Sequence, residues 1–235
     1  MHRKLLDLYM RNQGRQKQAP AGFASQGNAL LLEVTDVIDD WYGFNATDAA
    51  AAVRRGGFDT VDVVINSPGG DVFTTVALVA ALRSCGKPVN VDITGVAASA
   101  ASVLAMAGTS RRIYTGAMLM YHRAWTLAVG NANDMRDVAS LLDKLDGQLA
   151  AEYDRVTSRG TDVLLASMDK DTWLTATEAL EQQFVTEVYG LPEDNPMALA
   201  TFDLSVYDNA PAVPALPDMA AHRAHLERRL SLYTH

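Results

Sequence analysis

The sequence has little of several features on which whole classes of proteins depend. Cys85 is the only cysteine among 235 residues, so no disulfide can form within the chain and a cysteine-rich zinc site is excluded. No apolar run approaches the ~20 residues that span a bilayer, and no signal-peptide core follows the basic N-terminus. We therefore expect a soluble, cytoplasmic protein with no membrane contact, no metal and no cofactor.

The chain is also poor in positive charge. Lysine and arginine total 20 against 28 aspartate and glutamate residues, which gives a formal net charge of −8 and a pI of about 5.0. This balance does not favour non-specific binding to nucleic acid. The one basic stretch, residues 222–229, is interpreted as the solvated face of a short C-terminal helix.

The rest of the composition is that of a globular domain, with 49% hydrophobic residues. The distribution of glycine, proline and periodic segments divides the chain into three parts. Residues 1–27 are predicted to be a flexible N-terminal segment. Residues 28–190 are predicted to form the domain, and residues 191–235 a proline-rich extension with a short helix.

Within the domain, apolar strand-like runs alternate with glycine-bearing turns and helices. The runs at residues 61–65 and 88–94 each lead into such a turn, followed by helices predicted over residues 71–84 and 99–107. A last short strand is predicted over residues 184–188. The alternation predicts an α/β fold with parallel strands. Because the carboxyl ends of parallel strands meet at one edge, both turns are expected to line one site.

A much longer helix is predicted over residues 133–159, where apolar residues form a single stripe. At ~1.5 Å per residue the helix would be roughly 40 Å long, which is longer than a small core can cover. We interpret it as a helix that projects from the domain and packs on a partner subunit.

The first candidate for chemistry is Ser99, in the segment GVAASAAS at residues 95–102. There an apolar run meets a helix of small residues, so the hydroxyl can be exposed beside free backbone N–H groups. Acyl transfer needs both, as nucleophile and as donors to the oxyanion. Ser102 is a rival nucleophile, but we interpret it as a small residue that permits tight helix packing.

A base and an acid are also present. His122 is the only histidine inside the α/β body, at the end of the apolar run 118–121, and is the candidate base, although it could equally be a histidine without a role. Asp171 is the favoured acid because the apolar residues that follow it would anchor its backbone. Asp169 is a close competitor.

The turn NSPGG at residues 66–70 has two interpretations. It can be a simple strand-to-helix turn, since proline fixes φ and glycine permits positive φ. Alternatively, the glycines let a substrate backbone approach closely, and the N–H groups of Gly70 and Ala100 form an oxyanion-binding pair. The turn is not a phosphate-binding loop, because no Gly-Lys-Ser/Thr follows, and the segment around Ser99 lacks the glycines of the α/β-hydrolase elbow.

These residues resemble the proteolytic subunit of the Clp protease family, a self-compartmentalising serine peptidase. The resemblance covers about residues 30–190 and rests on four motifs in the family's order. The motifs are INSPGG at residues 65–70, GVAAS at 95–99, MYH at 120–122 and DTWL at 171–174.

The resemblance implies an α/β fold of the spiral type, built from ββα units and shared with crotonases, with the long helix as a projecting handle. It implies that Ser99 is the nucleophile, His122 the general base and Asp171 the orienting acid, with Gly70 and Ala100 as oxyanion donors. Substrate would bind in extended form along the edge formed by residues 123–130. The implied substrate-binding residues are Gly69, Arg123, Ala124 and Trp125.

The resemblance further implies a serine endopeptidase that acts on polypeptides inside a heptameric ring or a stacked double ring, with a possible ATPase unfoldase as partner. The pattern Ala-Ala-Ser-Ala-Ala-Ser at residues 97–102 and the proline-rich extension resemble the phage and prophage branch. In that setting capsid or scaffold proteins would be partners and the prohead the location. The alternatives are a catalytically silent shell or scaffold protein, and an acyl-CoA enzyme of the crotonase class.

Overall fold

A mainly parallel sheet with helices around it forms the body of the protein. The computed structural model describes residues 23–41, 43–190, 202, 204–205 and 207–211. Within them, the strands are β1 (Phe23–Gln26), β2 (Ala29–Val34), β3 (Thr60–Ser67), β4 (Val89–Ala98), β5 (Ser110–Tyr114), β6 (Met118–Tyr121), β7 (Thr172–Thr175) and β8 (Glu187–Tyr189). The helices are α1 (Ala46–Arg55), α2 (Val72–Ser84), α3 (Ala100–Ala105), α4 (Ala132–Thr157), α5 (Thr161–Met168) and α6 (Ala176–Glu181).

The strand order confirms the predicted α/β architecture. The main sheet runs β1-β2-β3-β4-β5-β8, and every pair in it is parallel except β1 with β2. Strand β6 lies off this path, parallel to β4 on one side and antiparallel to β7 on the other. Strand β4 therefore pairs with β3 and β5 in the main sheet and also with β6. The carboxyl ends of β3, β4 and β6 lie close together.

Strand β4 is longer than the sequence predicts. The glycine at position 95 was expected to end the strand, but β4 continues to Ala98. Its first part pairs with β5 and its last part pairs with β6, so that Ala98 lies opposite Met120. The pairing with β6 provides backbone hydrogen bonds beyond Gly95. A prediction from neighbouring residues alone, which takes a glycine as the end of a strand, does not include them.

Side-chain caps fix where the helices beside the sheet begin. Asn45 accepts a hydrogen bond from the N–H of Asp48 at the start of α1, and Asp71 accepts one from the N–H of Thr74 at the start of α2. Thr175 and Glu178 form a capping box at the start of α6. Because Asp71 directly follows the glycine-rich turn, this cap also determines where the turn ends and the helix begins.

The long helix α4 confirms the prediction over residues 133–159 to within two residues at each end. Its C-terminal half packs on the body through Leu145, Leu149 and Tyr153, which are buried. Its N-terminal half, up to residue 144, is largely exposed, including Met135 and Leu141. The helix thus projects from the core of the chain, as its length led us to expect.

Other elements differ from the sequence-based expectation. The strand predicted over residues 184–188 is observed three residues later, as β8. Phe184 and Val185 are buried in the loop before it, so their apolar side chains do not mark the start of the strand. There the buried Arg111 donates to the carbonyl oxygens of Phe184 and Gln183. Strands β1 and β7 and helix α5 were not predicted, since each is short. Most of residues 1–27 and 191–235, including the predicted C-terminal helix, lie outside the described residues.

Candidate active site

Ser99 lies at the junction between β4 and α3 in a backbone conformation that serine rarely adopts. Its φ and ψ are 53° and −125°, and its N–H donates to the carbonyl oxygen of Met120 at 2.9 Å. A non-glycine residue held in this region costs about 1–3 kcal/mol. The turn directs the half-buried hydroxyl of Ser99 towards the end of β6, which is where His122 lies.

The imidazole of His122 is in hydrogen-bonding contact with Ser99. Its Nε2 lies 2.8 Å from the Ser99 Oγ, and its side chain is only 7% exposed. His122 follows directly after β6, whose parallel pairing with β4 sets Ala98 beside Met120. One strand pairing therefore determines the distance between the hydroxyl and the imidazole.

Asp171 completes a chain of hydrogen-bonding contacts on the other side of the imidazole. Its Oδ1 lies 3.2 Å from His122 Nδ1. Asp171 immediately precedes β7, where Thr172 lies opposite Tyr121 in the antiparallel pair with β6. Its backbone has φ of 47°, so a second strained residue presents its side chain to the same imidazole.

The surroundings keep the Asp171 carboxyl ionised. Burial on its own would raise the pKa of Asp171, but hydrogen bonds from His122 and from the backbone N–H of Asp208 outweigh burial and lower the pKa below its usual value. An ionised carboxylate only accepts hydrogen bonds, so His122 Nδ1 carries the proton. In the neutral imidazole with its proton on Nδ1, Nε2 is able to accept the proton of the Ser99 hydroxyl.

The two candidate acids, Asp169 and Asp171, have different partners. The Asp169 carboxylate is exposed and accepts a hydrogen bond from Arg123 Nε at 2.7 Å, whereas Asp171 faces His122. Ser102 is fully buried, and its hydroxyl contacts the Ser99 carbonyl oxygen at 2.6 Å and the Tyr153 hydroxyl at 2.9 Å. Ser102 therefore supports the turn at Ser99.

The glycine-rich turn after β3 lies directly against Ser99. A Cβ atom at Gly69 would lie 2.6 Å from the Ala98 carbonyl oxygen and 2.8 Å from the Ser99 Cβ, so no larger residue fits there. Gly70 has φ of 151°, and a Cβ atom there would collide with the backbone of Ile38. The turn after β3 thus meets the turn at Ser99, four residues beyond the glycine at which the second turn was predicted.

Backbone N–H groups at this site are free to bind an anion. The bridge between Ile38 and the turn uses the Gly69 carbonyl oxygen and the Asp71 N–H, so the N–H of Gly70 points the other way. The N–H of Ala100 lies in the first turn of α3, where no intrahelical acceptor exists. Neither group has a partner among the described residues, which is what an oxyanion-binding pair requires.

The segment after His122 is held in place by a buried carboxylate. Asp146 accepts hydrogen bonds from the Ala124 N–H at 2.7 Å and from Arg123 Nη1 at 3.2 Å. Residues 123–129 belong to no strand or helix, and Trp125 is 43% exposed. Arg123 and Ala124 thus fix this segment to α4, beside the side chains of the site.

Two further residues that reach the site were not predicted from the sequence. Tyr207 stacks edge-on against the His122 ring with centroids 5.3 Å apart, and the Asp208 N–H donates to Asp171 Oδ2 at 2.7 Å. Both lie in the proline-rich extension, far from the four motifs. A tyrosine and an aspartate in such a segment carry no local pattern that would predict contact with a buried carboxylate.

The described part of the chain shows neither a metal centre nor a membrane span. No cluster of three or more His, Cys, Asp or Glu side chains within it is arranged to hold a metal ion. No helix within these residues is both long enough and apolar enough to cross a bilayer.

Comparisons with known proteins point to one family. A sequence model described as Clp protease matches residues 57–191. The ATP-dependent Clp protease proteolytic subunit of Bacteroides fragilis is 32% identical over 130 residues, which are 54% of this chain and 63% of the relative.

Subunit 1 of the same enzyme from Protochlamydia amoebophila is 35% identical over 122 residues, which are 50% of this chain and 59% of the relative. The subunit from Deinococcus radiodurans is 29% identical over 137 residues, 57% of this chain and 67% of the relative. The chain thus spans about three fifths of the length of the curated relatives it matches.

Proposed function

Because the chain belongs to the Clp protease family, we propose that it is a serine peptidase in which Ser99, His122 and Asp171 form the catalytic triad. The observation that carries this proposal is the continuous contact from the Ser99 hydroxyl through the His122 imidazole to the Asp171 carboxylate. The three residues come from three separate elements, and all three bury most of their surface. Such an arrangement activates a serine that is otherwise a weak nucleophile.

The proposed reaction begins when His122 Nε2 accepts the Ser99 proton as Oγ bonds to the carbonyl carbon of a peptide. The negative charge that develops on the carbonyl oxygen is stabilised by the N–H groups of Gly70 and Ala100. His122 then donates the proton to the leaving amine, which leaves an acyl group on Ser99. Water then loses a proton to His122 as its oxygen bonds to the acyl carbon. His122 donates that proton to Ser99 Oγ as the bond between Oγ and the acyl carbon breaks, and the carboxylic acid product leaves.

We propose that the peptide binds in extended form between the glycine-rich turn and residues 123–130. Gly69 supports this placement because its lack of a side chain lets a backbone approach Ser99 closely. Arg123 and Ala124 act by holding the segment to Asp146, so that backbone groups further along it can pair with substrate. The exposed Trp125 provides apolar contact area for substrate side chains.

We further propose that the active form is a ring of copies that takes polypeptides as substrates. The relatives are named as proteolytic subunits of an ATP-dependent protease, which supports an assembly that works with an ATPase unfoldase. Solution mass, combined with casein degradation with and without such an unfoldase, tests this proposal. Peptide cleavage without casein degradation would indicate a gated chamber.

Maturation of a phage prohead is a second proposed setting, with capsid or scaffold proteins as partners. It is supported only by the alanine and serine pattern at residues 97–102 and by the proline-rich extension. Self-cleavage within residues 191–235 during assembly would favour it over cytoplasmic protein degradation.

The test of the catalytic proposal compares two serine variants. Ser99→Ala should lower peptide hydrolysis by at least about 10³-fold, while Ser84→Ala, an exposed serine at the end of α2, should hydrolyse at the wild-type rate. Full activity of Ser99→Ala would exclude the triad. Intact rings with no activity in the wild type would favour a silent scaffold, and acyl-CoA turnover that is independent of Ser99 would favour a crotonase-type enzyme.

A further inference from the structure

A short stretch of the C-terminal extension lies on the candidate active site. Residues 207–211, called the clamp here, are far from the site in sequence and lie beyond residues 57–191, which match the family. The clamp makes polar contacts with residues 68, 170, 171 and 173. Three of these contacts are to residues 170–173, around Asp171, and the fourth is to the glycine-rich turn.

One of these contacts is to Asp171 itself. Its Oδ1 faces His122 Nδ1, and its Oδ2 accepts the backbone N–H of Asp208 at 2.7 Å. A carboxylate with a donor on each oxygen has one defined rotation about its terminal bond. Without the second donor, the carboxylate of Asp171 can rotate and tilt, and its alignment with the imidazole is lost.

Tyr207 covers the adjacent imidazole. Its ring meets the His122 ring edge-on, and its hydroxyl donates to the Pro68 carbonyl oxygen at 2.7 Å, in the glycine-rich turn. Burial raises the pKa of Tyr207, the charge of Asp171 adds to that increase, and a hydrogen bond with Ser99 partly offsets it. The hydroxyl therefore stays protonated as a donor and links the turn to the clamp.

Two further hydrogen bonds hold the clamp on either side of Asp171. Trp173 Nε1 donates to the Asp208 carbonyl oxygen at 3.1 Å, and Asn209 Nδ2 donates to the Lys170 carbonyl oxygen at 2.9 Å. Phe202 and Leu204, just before the clamp, are buried in a small apolar cluster with Val96, Ala98 and Met120. This cluster underlies the strand ends that carry Ser99 and His122.

We propose that the clamp is a positioning element of the active site: the Asp208 N–H and the Tyr207 ring hold Asp171 and His122 in the alignment that activates Ser99. This inference rests on the proposed serine peptidase function. It adds a part of the site that lies outside the family-matching residues, and it assigns the extension a role inside the same chain. The Asp208 N–H contacts none of the reacting atoms of the proposed cycle and acts through Asp171, whereas Tyr207 lies against His122 and Ser99.

The test uses a matched pair of variants at one position in the full chain. Asp208→Pro removes the backbone N–H, whereas Asp208→Ala keeps it and removes only the exposed side chain. Asp208→Pro should lower kcat for a fluorogenic peptide by about tenfold or more, since small misplacements of catalytic groups are costly. Its KM should stay near the wild-type value, and Asp208→Ala should match the wild type in both constants.

A second measurement does not depend on activity. In hydrogen–deuterium exchange, amides of residues 168–175 should exchange faster in Asp208→Pro than in Asp208→Ala or the wild type. Asn209→Gly provides a milder variant, because glycine tolerates the φ of 57° at this position while the bond to Lys170 is lost. It should lower kcat by a smaller factor, again without raising KM.

Two results would overturn the clamp proposal. One is an equal kcat for Asp208→Pro and Asp208→Ala, with equal exchange of residues 168–175. The other is a higher kcat in Asp208→Pro, which would mean that the segment obstructs Ser99. A wild-type protein with no peptidase activity would instead overturn the proposed function, and the exchange comparison would still decide whether the clamp positions Asp171.

Discussion

At the scale of single residues, the site is built from backbone conformations that cost free energy. Ser99 and Asp171 both have positive φ, at 53° and 47°, and each conformation is stabilised by its surroundings. The Ser99 turn is held by the Ser102 hydroxyl and by Met120, and Asp171 is held by His122 and Asp208. Strain of this kind is characteristic of sites where a side chain must be presented in one orientation.

Replacing the acid by its amide tests the role of Asp171 in orienting His122. In Asp171→Asn, the amide nitrogen can donate to His122 Nδ1 and favours the tautomer with the proton on Nε2, which cannot accept the Ser99 proton. We expect kcat to fall by about 10⁴-fold at neutral pH. Asp169→Asn is the matched control, and since Asp169 is exposed and faces Arg123, it should retain most of the activity.

Comparing the wild type with Asp171→Asn also tests how the free energy of unfolding depends on pH. The pKa of Asp171 is lower in the folded chain than its usual value, so its contribution to the free energy of unfolding is present above about pH 4 and is lost as pH falls through the folded pKa. Urea unfolding should therefore show a wild-type advantage over Asp171→Asn that shrinks as pH falls below about 4. An advantage that is independent of pH would contradict the ionised state.

Residue-level prediction from the sequence was most specific where a residue type was rare. His122 stood out because the other four histidines lie in terminal segments, and the structure places it against Ser99. The sequence left the choice of acid open between Asp169 and Asp171. The two differ in the direction of their side chains, which is set by the backbone at the start of β7. The contacts of Tyr207 and Asp208 depend on the path of the chain after Gly190, which no local pattern encodes.

At the scale of elements, the site lies where the glycine-rich turn after β3 meets the turn at Ser99 after β4. The turn after β3 packs its backbone on Ser99, at the end of β4. The length of β4 could not be predicted, because its last residues pair with β6, a strand about 20 residues further along the chain, and Ala97 also pairs with Ser67 of β3. The alternation of strands, turns and helices was predictable, since it follows from buried runs and caps within short windows.

Two glycine-to-alanine variants test this packing. Gly70→Ala should destabilise the fold by about 2 kcal/mol or more, because its φ of 151° disfavours a side chain and a Cβ atom would collide with Ile38. Gly147→Ala is the control. It lies in the exposed interior of α4 with no atom near its Cβ position, so alanine should stabilise by up to about 1 kcal/mol. Chemical denaturation measures both, and a neutral Gly70→Ala would contradict the close approach.

At the scale of the whole molecule, α4 is longer than the part of it that packs on the body of the chain. Its C-terminal half is buried on the body, while its N-terminal half exposes apolar side chains such as Leu141, which is 52% exposed. Apolar residues on a projecting helix are stabilised when a second copy covers them. The family relationship supports a ring, and α4 is the element that we expect to join its copies.

A single charge on this helix tests that expectation. Leu141→Asp should lower the solution mass measured by light scattering, because a carboxylate would be buried against an apolar partner surface. Ser140→Asp adds the same charge about 100° around the helix and should leave the mass unchanged. Equal masses for both variants and the wild type would show that α4 does not join copies of the chain through Leu141.

Activation of Ser99 by His122 and Asp171 is tested most directly by reaction with a fluorophosphonate probe, followed by mapping of the modified residue. We predict one covalent adduct per chain, on Ser99, formed rapidly in the wild type and at least about 10³-fold more slowly in His122→Ala. Ser84 and Ser102 should remain unmodified. An adduct on another serine, no adduct at all, or an equal rate in His122→Ala would show that His122 does not activate Ser99.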